Sequence, residues 1–314
     1  MLNNKALTVM LAPAIVFLAG CDIEALVDSS RYKEDFSYSY PLEPGGKVSV
    51  ESFNGSIEIF SWEKDVVQIT GTKFASTQGL LDSIKIDVVA TDTSVRIRTS
   101  RPFERRGSMG AKYVIRVPAK TELERVITSN GTIRVEAIEG PVRLRTTNGG
   151  IRVFGVQGPL EATTTNAGVD VQELNGSVTL RTTNGAIKAD GVRGFFEAST
   201  SNGGIEARLV ETEGGRPVKA DTSNGNIDLS IESFKGNDVI ATTSNASITV
   251  RLPRDAAANV RASTSNAFIK TDFEVATSGS ISKNHLQGTI NGGGPRLDLS
   301  TSNGSIHIVR MDSK

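Results

Sequence analysis

Thr128-Ser129-Asn130-Gly131, Thr146-Thr147-Asn148-Gly149, Thr164-Thr165-Asn166-Ala167, Thr182-Thr183-Asn184-Gly185 and Thr200-Ser201-Asn202-Gly203 punctuate the chain at a constant step of 18 residues. The motif returns at Asn224, Asn245, Asn266 and Asn303, after steps of 22, 21, 21 and 37. A fixed period of this length marks a stacked repeat. Between the motifs, apolar and polar residues alternate. After Asn148 come Ile151, Val153, Val156, Leu160 and Ala162; the next block places Val169, Val171, Leu174, Val178 and Leu180 in the same slots. That is the period of a strand with one buried face, and no window carries helical spacing for long.

Each repeat therefore reads as two or three short strands joined by tight corners. A single coil cannot bury its own apolar face, but stacked coils can, each strand pairing with its copies at about 4.8 Å. The expected fold is all-β: a single-chain parallel β-solenoid (β-helix) of about 18–22 residues per coil, with the right-handed form preferred. The motifs from Asn130 to Asn303 give a rod on the order of 40 Å long. An antiparallel meander with type I′ turns is the ordinary meaning of Asn-Gly. The strict period and the alanines at 167, 246 and 267 argue against it.

The asparagines call for a structural role. Leu144, Thr146 and Asn148 share one parity, so an inward Leu144 predicts an inward Asn148. A buried amide left unpaired costs roughly 1–3 kcal/mol. Stacked copies solve this with internal Asn/Thr ladders through Asn130, Asn148, Asn166, Asn184, Asn202, Asn224, Asn245, Asn266 and Asn303. The glycine that follows is expected to supply a positive φ at the corner.

Acidic and basic side chains balance at 35 each, so there is no global pull toward nucleic acid. Aromatics make up only 5%, which suits a thin rod with small interior side chains. At the start, Lys5 precedes the mostly apolar run Ala6 to Phe17, too short to span a bilayer comfortably, and this reads as a secretory signal. It ends Leu18-Ala19-Gly20-Cys21, which resembles the lipobox of bacterial lipoproteins. The resemblance implies cleavage before Cys21, a diacylglyceryl thioether on its sulfur and an acylated N-terminus, enough to anchor the chain in a membrane. Cys21 is the only cysteine, so an intramolecular disulfide is excluded. Asp22 resembles an inner-membrane retention signal of the enterobacterial kind.

The expected organisation is a signal peptide at 1–20, a lipidated tether and N-terminal cap at 21–43, irregular β coils at 44–125 and the regular solenoid at 126–314. Within the irregular part, Asn54-Gly55 opens an early copy of the motif, 71–82 read as including a polar loop, and Pro102 to Gly110 read as a mobile loop beside Arg101, Arg105 and Arg106. Beyond Asn202 the longer steps read as loop extensions on one corner. Asp272 to Pro295 reads as an excursion before a last coil through Leu297, Asn303 and Ile308.

These features together resemble a known group. Asn54-Gly55-Ser56-Ile57 followed by Trp62, the strand Tyr113 to Pro118, the Thr-Asn-Gly-x-Ile array, and Gly292-Gly293-Gly294 before Thr301-Ser302-Asn303-Gly304-Ser305-Ile306 are similar to the bacterial β-strand-repeat "putative adhesin" family, a domain group of unassigned function. The resemblance spans about residues 44–310 and carries no catalytic residues to transfer.

Chemistry is sparse. His285 and His307 have no neighbours at metal-ligand spacing, and no nucleophile set or phosphate loop is present, so neither a metal nor a cofactor is expected. Many β-solenoids act on polysaccharides, but the outward slot four after each Asn holds Arg134, Arg152, Asp170, Lys188, Glu206, Asp228, Thr249, Lys270 and His307, with mixed signs. Asp170 and Glu206 lie two coils apart, roughly 9–10 Å, too wide for a retaining pair. A hexapeptide acyltransferase has the right coil length but not this inward spacing.

Two outward features are candidate binding faces. Hydroxyls crowd the slots one and three before Asn: Thr163/Thr165, Ser199/Ser201, Thr242/Ser244, Ser263/Ser265 and Ser300/Ser302. Arg134, Arg143, Arg145 and Arg152 cluster in the first regular coils, suited to an anionic polymer. The expected function is that of a non-enzymatic, lipid-anchored module of the bacterial cell envelope for binding, adhesion or scaffolding. Its partners would be the membrane through Cys21 and an envelope polysaccharide or protein. The competing reading is a polysaccharide-acting hydrolase or lyase on the same rod.

Overall fold

Alternation places one apolar face inward. The computed structural model, which describes residues 31–100, 107–212, 215–234, 236–277 and 282–311, lays such strands into two long sheets of 13 and 14 strands. The segment read as a signal peptide, Cys21, and Arg101, Arg105 and Arg106 lie outside the described residues. In the regular region each coil gives one strand to each sheet. Val142–Arg145 lies in the 14-stranded sheet and Ile151–Gln157 in the 13-stranded sheet. Copies pair parallel and in register, Ile151 with Ile133 on one side and Val169 on the other, and Val142 with Leu160. The inward residues of the two sheets form one continuous core. Ile151, Val156, Val178, Ile187 and Phe196 are at most 0% exposed. Each such side chain contributes roughly 1.5–3 kcal/mol over its exposed state.

The corner after the 14-stranded sheet differs from the sequence expectation in two ways. Thr146 is buried, but Thr147 and Asn148 are both exposed, and this pattern holds along the motif column apart from the half-buried Ser201. The strand ends at Arg145 and the chain bends from Thr147, so parity cannot be carried on to Asn148. The inward polar column is threonine alone. Thr164 Oγ1 donates to the Gly149 carbonyl at 2.8 Å, Thr146 to Gly131 at 3.0 Å, and Thr200 to Gly185 at 3.0 Å. Each bond satisfies a corner carbonyl that would otherwise be buried unpaired.

The glycine after Asn148 does not take up a positive φ. Its role is close approach: a Cβ on Gly149 would sit 1.8 Å from the Gly131 carbonyl oxygen. Alanine stands in this slot at 167, 246 and 267, each partly exposed, as are Gly131 and Gly203.

Left-handed backbone is used on the opposite side of the coil. Ala137, Gly155, Glu173 and Gly191 have φ of 56°, 66°, 53° and 73°, one per coil, each bending its strand toward the second corner. The bend is lost at Ile205–Glu211, where the register shifts so that Val192 pairs with Leu209. For a residue with a Cβ this conformation costs roughly 1–2 kcal/mol, partly offset in glycine by its greater unfolded entropy. Glu173→Gly should therefore raise stability by about 0.5–1 kcal/mol, read as a higher melting temperature. An unchanged or lower value would show that Glu173 is not strained.

The longer steps of the later coils all fall at that second corner, between Ile205–Glu211 and Val218–Asp221, between Ile227–Ile231 and Val239–Thr242, and between Ile248–Leu252 and Ala258–Ser263. The segment read as a polar loop at 71–82 is instead a strand, Val66–Ala75, followed by a short helix, Gln78–Ser83. Thr77 caps that helix, and Leu80 and Leu81 bury against Ala75, Ile84 and Met109.

Stacking order departs from chain order at both ends. Arg296–Ser300 lies between Val239–Thr242 and Ala258–Ser263; Ile306–Arg310 lies between Ile248–Leu252 and Ile269–Thr271. The last coil in sequence is thus inserted beneath the one before it. At the other end, Gly46–Glu51 and Ile57–Trp62 sit between later strands, Ser94–Ser100 and Thr121–Ile127 on one side and Met109–Pro118 and Ile133–Glu136 on the other. Arg296 ties the inserted coil to Asp238 through its backbone N–H at 2.8 Å and its guanidinium at 2.8 and 2.9 Å. Those bonds, the backbone one foremost, hold the Asp238 carboxyl below its usual range.

Antiparallel strands close the ends. Tyr32–Pro41 pairs with Val66–Ala75 at the edge of one sheet, and Lys85–Thr91 pairs with Ser94–Ser100 at the edge of the other. At the far end His285–Ile290 and Val275–Thr277 do the same. The outer edges carry Lys33, Glu34, Asp35 and Lys85, charges that discourage further strand addition.

Tyr113 spans the core near the first end. Its ring is fully buried, lies 5.4 Å from Phe36, and its hydroxyl meets Thr99 Oγ1 of the opposite sheet at 2.5 Å. Burial pushes its phenol up to about 12, only partly opposed by the Thr99 bond. An unfolded tyrosine ionises near pH 10. The folded chain therefore holds a proton that the unfolded chain has lost between those values. The stability is intact below pH 10 and falls as pH rises through about 12, by on the order of 3 kcal/mol. Tyr113→Phe should flatten this alkaline limb in pH-dependent unfolding, while lowering neutral stability by the lost hydrogen bond. An alkaline limb identical to that of the parent chain would refute the assignment.

Candidate functional site

The rod's outer surface is built by the same register that builds its core. At the first corner the nine asparagines form a single file. Asn148 Nδ2 donates to Asn130 Oδ1 at 2.6 Å, Asn166 to Asn148 at 2.6 Å, Asn184 to Asn166 at 2.8 Å and Asn202 to Asn184 at 2.8 Å. The file continues through Asn224 and Asn245, then Asn303, then Asn266, at 2.6–2.8 Å. Insertion of the last coil places Asn303 between Asn245 and Asn266 in the file. All bonds point one way, so the amide dipoles add. Because the rungs face water, each contributes less than a buried bond would.

Beside the amides runs a second file. Thr147, Thr165, Thr183, Ser201, Ser223, Ser244, Ser302 and Ser265 occupy consecutive coils, and each Asn N–H of the next coil binds the neighbouring carbonyl of this file, as Asn166 does to Thr147 at 2.9 Å. The hydroxyl rank three before Asn is less regular. Arg181 stands between Thr163 and Ser199, and Asp221 between Ser199 and Thr242. Thr242, Ser300 and Ser263 are contiguous.

The four arginines do not form one cluster. Arg134 and Arg152 are neighbours on the 13-stranded sheet, whereas Arg143 and Arg145 lie on the 14-stranded sheet across the core. The corner between Arg145 and Ile151 carries the chain from one sheet to the other, so closeness in sequence reverses into opposite faces. Arg134 pairs with Glu136 and lies over the Phe60 ring at 5.7 Å; Arg143 reaches Glu122 at 3.5 Å. Arg152 and Arg145 have no ion-pair partner among the described residues.

Acidic residues are interleaved with basic ones. Lys188 stands between Asp170 and Glu206. Glu206 and Asp228 are strand neighbours, but Asp228 is paired with Arg251. Arg208 bridges Asp190 and Glu232. Among the described residues no group of three His, Cys, Asp or Glu could hold a metal, and no helix is long and apolar enough to cross a membrane. His285 lies on an antiparallel capping strand, and His307 faces outward from the inserted coil, 5.8 Å from Phe268.

Sequence reading missed one feature of this surface. Phe154 is 44% exposed on the outer face of the 13-stranded sheet. Its column runs Phe60, Glu136, Phe154, Gln172, Asp190, Arg208. Tabulating the slot six after each Asn, and not only the slot four after, would have revealed it. Arg134, Glu136, Arg152, Phe154, Asp170 and Gln172 together line a shallow open depression.

A rod of stacked two-strand coils, capped at both ends and patterned along its flanks, defines a repeat protein of the β-solenoid class. The chain belongs to the Toastrack DUF4097 family, whose model matches residues 39–309. Among solved structures it is similar to a "putative adhesin" from Bacteroides fragilis, with 12% identity, 88% of this chain and 97% of that one covered, and a TM-score of 0.31. It is also similar to a "putative adhesin" from Parabacteroides distasonis (13% identity, 88% and 97% covered, TM-score 0.30) and a "putative lipid binding protein" from the same organism (12%, 89% and 97%, 0.24). No curated protein matches the chain.

Proposed function

We propose that this chain is a non-enzymatic binding module of the bacterial cell envelope, anchored through lipid on Cys21, that holds an extended polar polymer along its flank. The observation that carries this reading is the unbroken double file of amides and hydroxyls at the first corner. Each amide uses one N–H and one oxygen lone pair within the file and leaves one of each for a ligand. The files repeat about every 4.8 Å, so a linear polymer meets the same donors and acceptors at every step. The rungs are pre-organised by the sheets, which limits the ordering required on binding. The lipobox-like run Leu18-Ala19-Gly20-Cys21 supports the envelope location, since acylation of Cys21 would hold the chain at a membrane.

The competing reading, a polysaccharide hydrolase or lyase, would draw on Glu206 and Asp228, whose Cα atoms are strand neighbours. Arg251 on Asp228 and Lys188 beside Glu206 favour a charge-balanced surface over an acid pair. The test uses the lipid-free chain from Asp22 onward with a panel of envelope polysaccharides, measuring both retention of polymer and release of new chain ends. Retention without new ends is the expected result. New ends would overturn the reading in favour of the enzyme.

A further inference from the structure

Hydrophobic side chains on a solvated strand face are ordinarily replaced by polar ones, and the outer column of the 13-stranded sheet departs from this with large aromatic rings in its first coils and with the smaller Val309 in the inserted coil. Phe60 and Phe154 stand there two strands apart, about 9–10 Å along the rod, with Glu136 between them. The Phe60 ring is covered by Arg134, which also neutralises Glu136. Phe154 is left open, at 44% exposure. In the adjacent column Arg152 stands between Arg134 and Asp170, yet has no ion-pair partner among the described residues. Asp170 instead accepts from Gln172 at 3.3 Å. The depression these residues line thus holds one open aromatic face, one uncommitted guanidinium, and an amide and a carboxylate at its far side.

Resting on the binding reading above, we infer that this depression is a subsite for a polysaccharide carrying carboxylates, with a sugar ring packed against Phe154 and its carboxylate held by Arg152. The apolar C–H face of a pyranose matches an open aromatic ring, and a guanidinium matches a carboxylate in a two-pronged geometry. Gln172 and Asp170 offer an amide and an acceptor to hydroxyls on the next residue toward the far end of the rod. On the near side the guanidinium of Arg134, 5.7 Å from the centre of the Phe60 ring, offers a second cationic surface to the preceding residue. The site lies on the sheet face and not on the corner, so it sets which polymer binds while the amide file supplies length.

The test uses the full chain in detergent with two probes: oligogalacturonate, and the same oligomer with its carboxylates reduced to alcohols. Phe154→Ala and Arg152→Gln are compared with Arg261→Gln, which removes an exposed arginine from the opposite sheet, far along the rod. All three residues are exposed, so unchanged melting temperatures will show that the variants fold. The expected result is that the acidic oligomer binds at least tenfold more tightly than the reduced one. Phe154→Ala weakens both, Arg152→Gln removes the preference, and Arg261→Gln changes neither. If the parent chain retains the acidic oligomer but Phe154→Ala and Arg152→Gln bind it equally well, the subsite is overturned while the binding reading stands. If the parent chain retains no polysaccharide of either kind, both fall.

Discussion

A chain ending at Pro295 should lose far more than its final coil. In an ordinary solenoid, removing the last repeat exposes one interface, and the remaining coils stay folded. Here residues 296–310 are the filling between two other coils. Their removal takes away Leu297, Leu299, Ile306 and Ile308, each at most 1% exposed, and uncovers the coils on both sides. It also removes backbone bonds such as Ile248 N–H to Ser305 and Ile306 N–H to Phe268, each in one of two opposing interfaces. At roughly 1.5–3 kcal/mol for each buried aliphatic side chain, the loss is well over 5 kcal/mol, comparable with the whole stability of a typical domain. The expected outcome is fast amide exchange and protease cleavage throughout 239–290, with the coils from 121 to 231 still protected. Protection of 258–271 equal to that in the parent chain would mean that this coil docks directly on the preceding one, and that the inserted coil is dispensable.

Phe196→Ala is expected to have the second largest effect. Phe196 is fully buried, in a column whose preceding member is Val178. Its coil carries Ala189 and Ala198 where the preceding coil carries Val171 and Leu180, so one large ring fills space that the neighbours fill with branched aliphatics. Truncation would leave a cavity that rigid parallel strands on both sides cannot close, at about 3–5 kcal/mol. Because coil-to-coil contacts are the only ties along a rod, the loss should also uncouple the two halves. Denaturant unfolding should show a lower midpoint and a shallower slope than in the parent chain. Phe154→Ala, the exposed counterpart, should stay within about 0.5 kcal/mol. Equal effects of the two variants would contradict the assignment of inside and outside.

Much of this was legible in the sequence because it is local. The 18-residue period, the alternation through Ile151, Val153, Leu160 and Ala162, and the buried threonine before each Asn are properties of neighbouring residues, and the stacked parallel rod follows from them, while the choice of two strands per coil over three does not. The direction of Asn148 was not legible, since alternation holds only while the chain is extended and the bend begins at Thr147. The separation of Arg145 from Arg152 was missed for the same reason: a corner between them changes sheets. The stacking order was beyond local pattern altogether. The 37-residue step to Asn303 looks like an excursion before a final coil, and nothing within residues 296–310 states that they pair between 239–252 and 258–271. That information lies in contacts between distant segments.

The order of the rungs along the flank, with Asn303 between Asn245 and Asn266, follows from this insertion. It is tested most directly by engineered disulfides in a chain carrying Cys21→Ser, which has no other cysteine. Thr249 and His307 are register partners, as are His307 and Lys270, which leaves Thr249 and Lys270 two strands apart. Neighbouring strands bring Cα atoms within about 5 Å, inside disulfide range, whereas two strands place them about 9–10 Å apart, outside it. Thr249→Cys with His307→Cys should cross-link on mild oxidation, and Thr249→Cys with Lys270→Cys should not. The reverse outcome would mean that the coils stack in chain order, and that the amide file passes from Asn245 directly to Asn266.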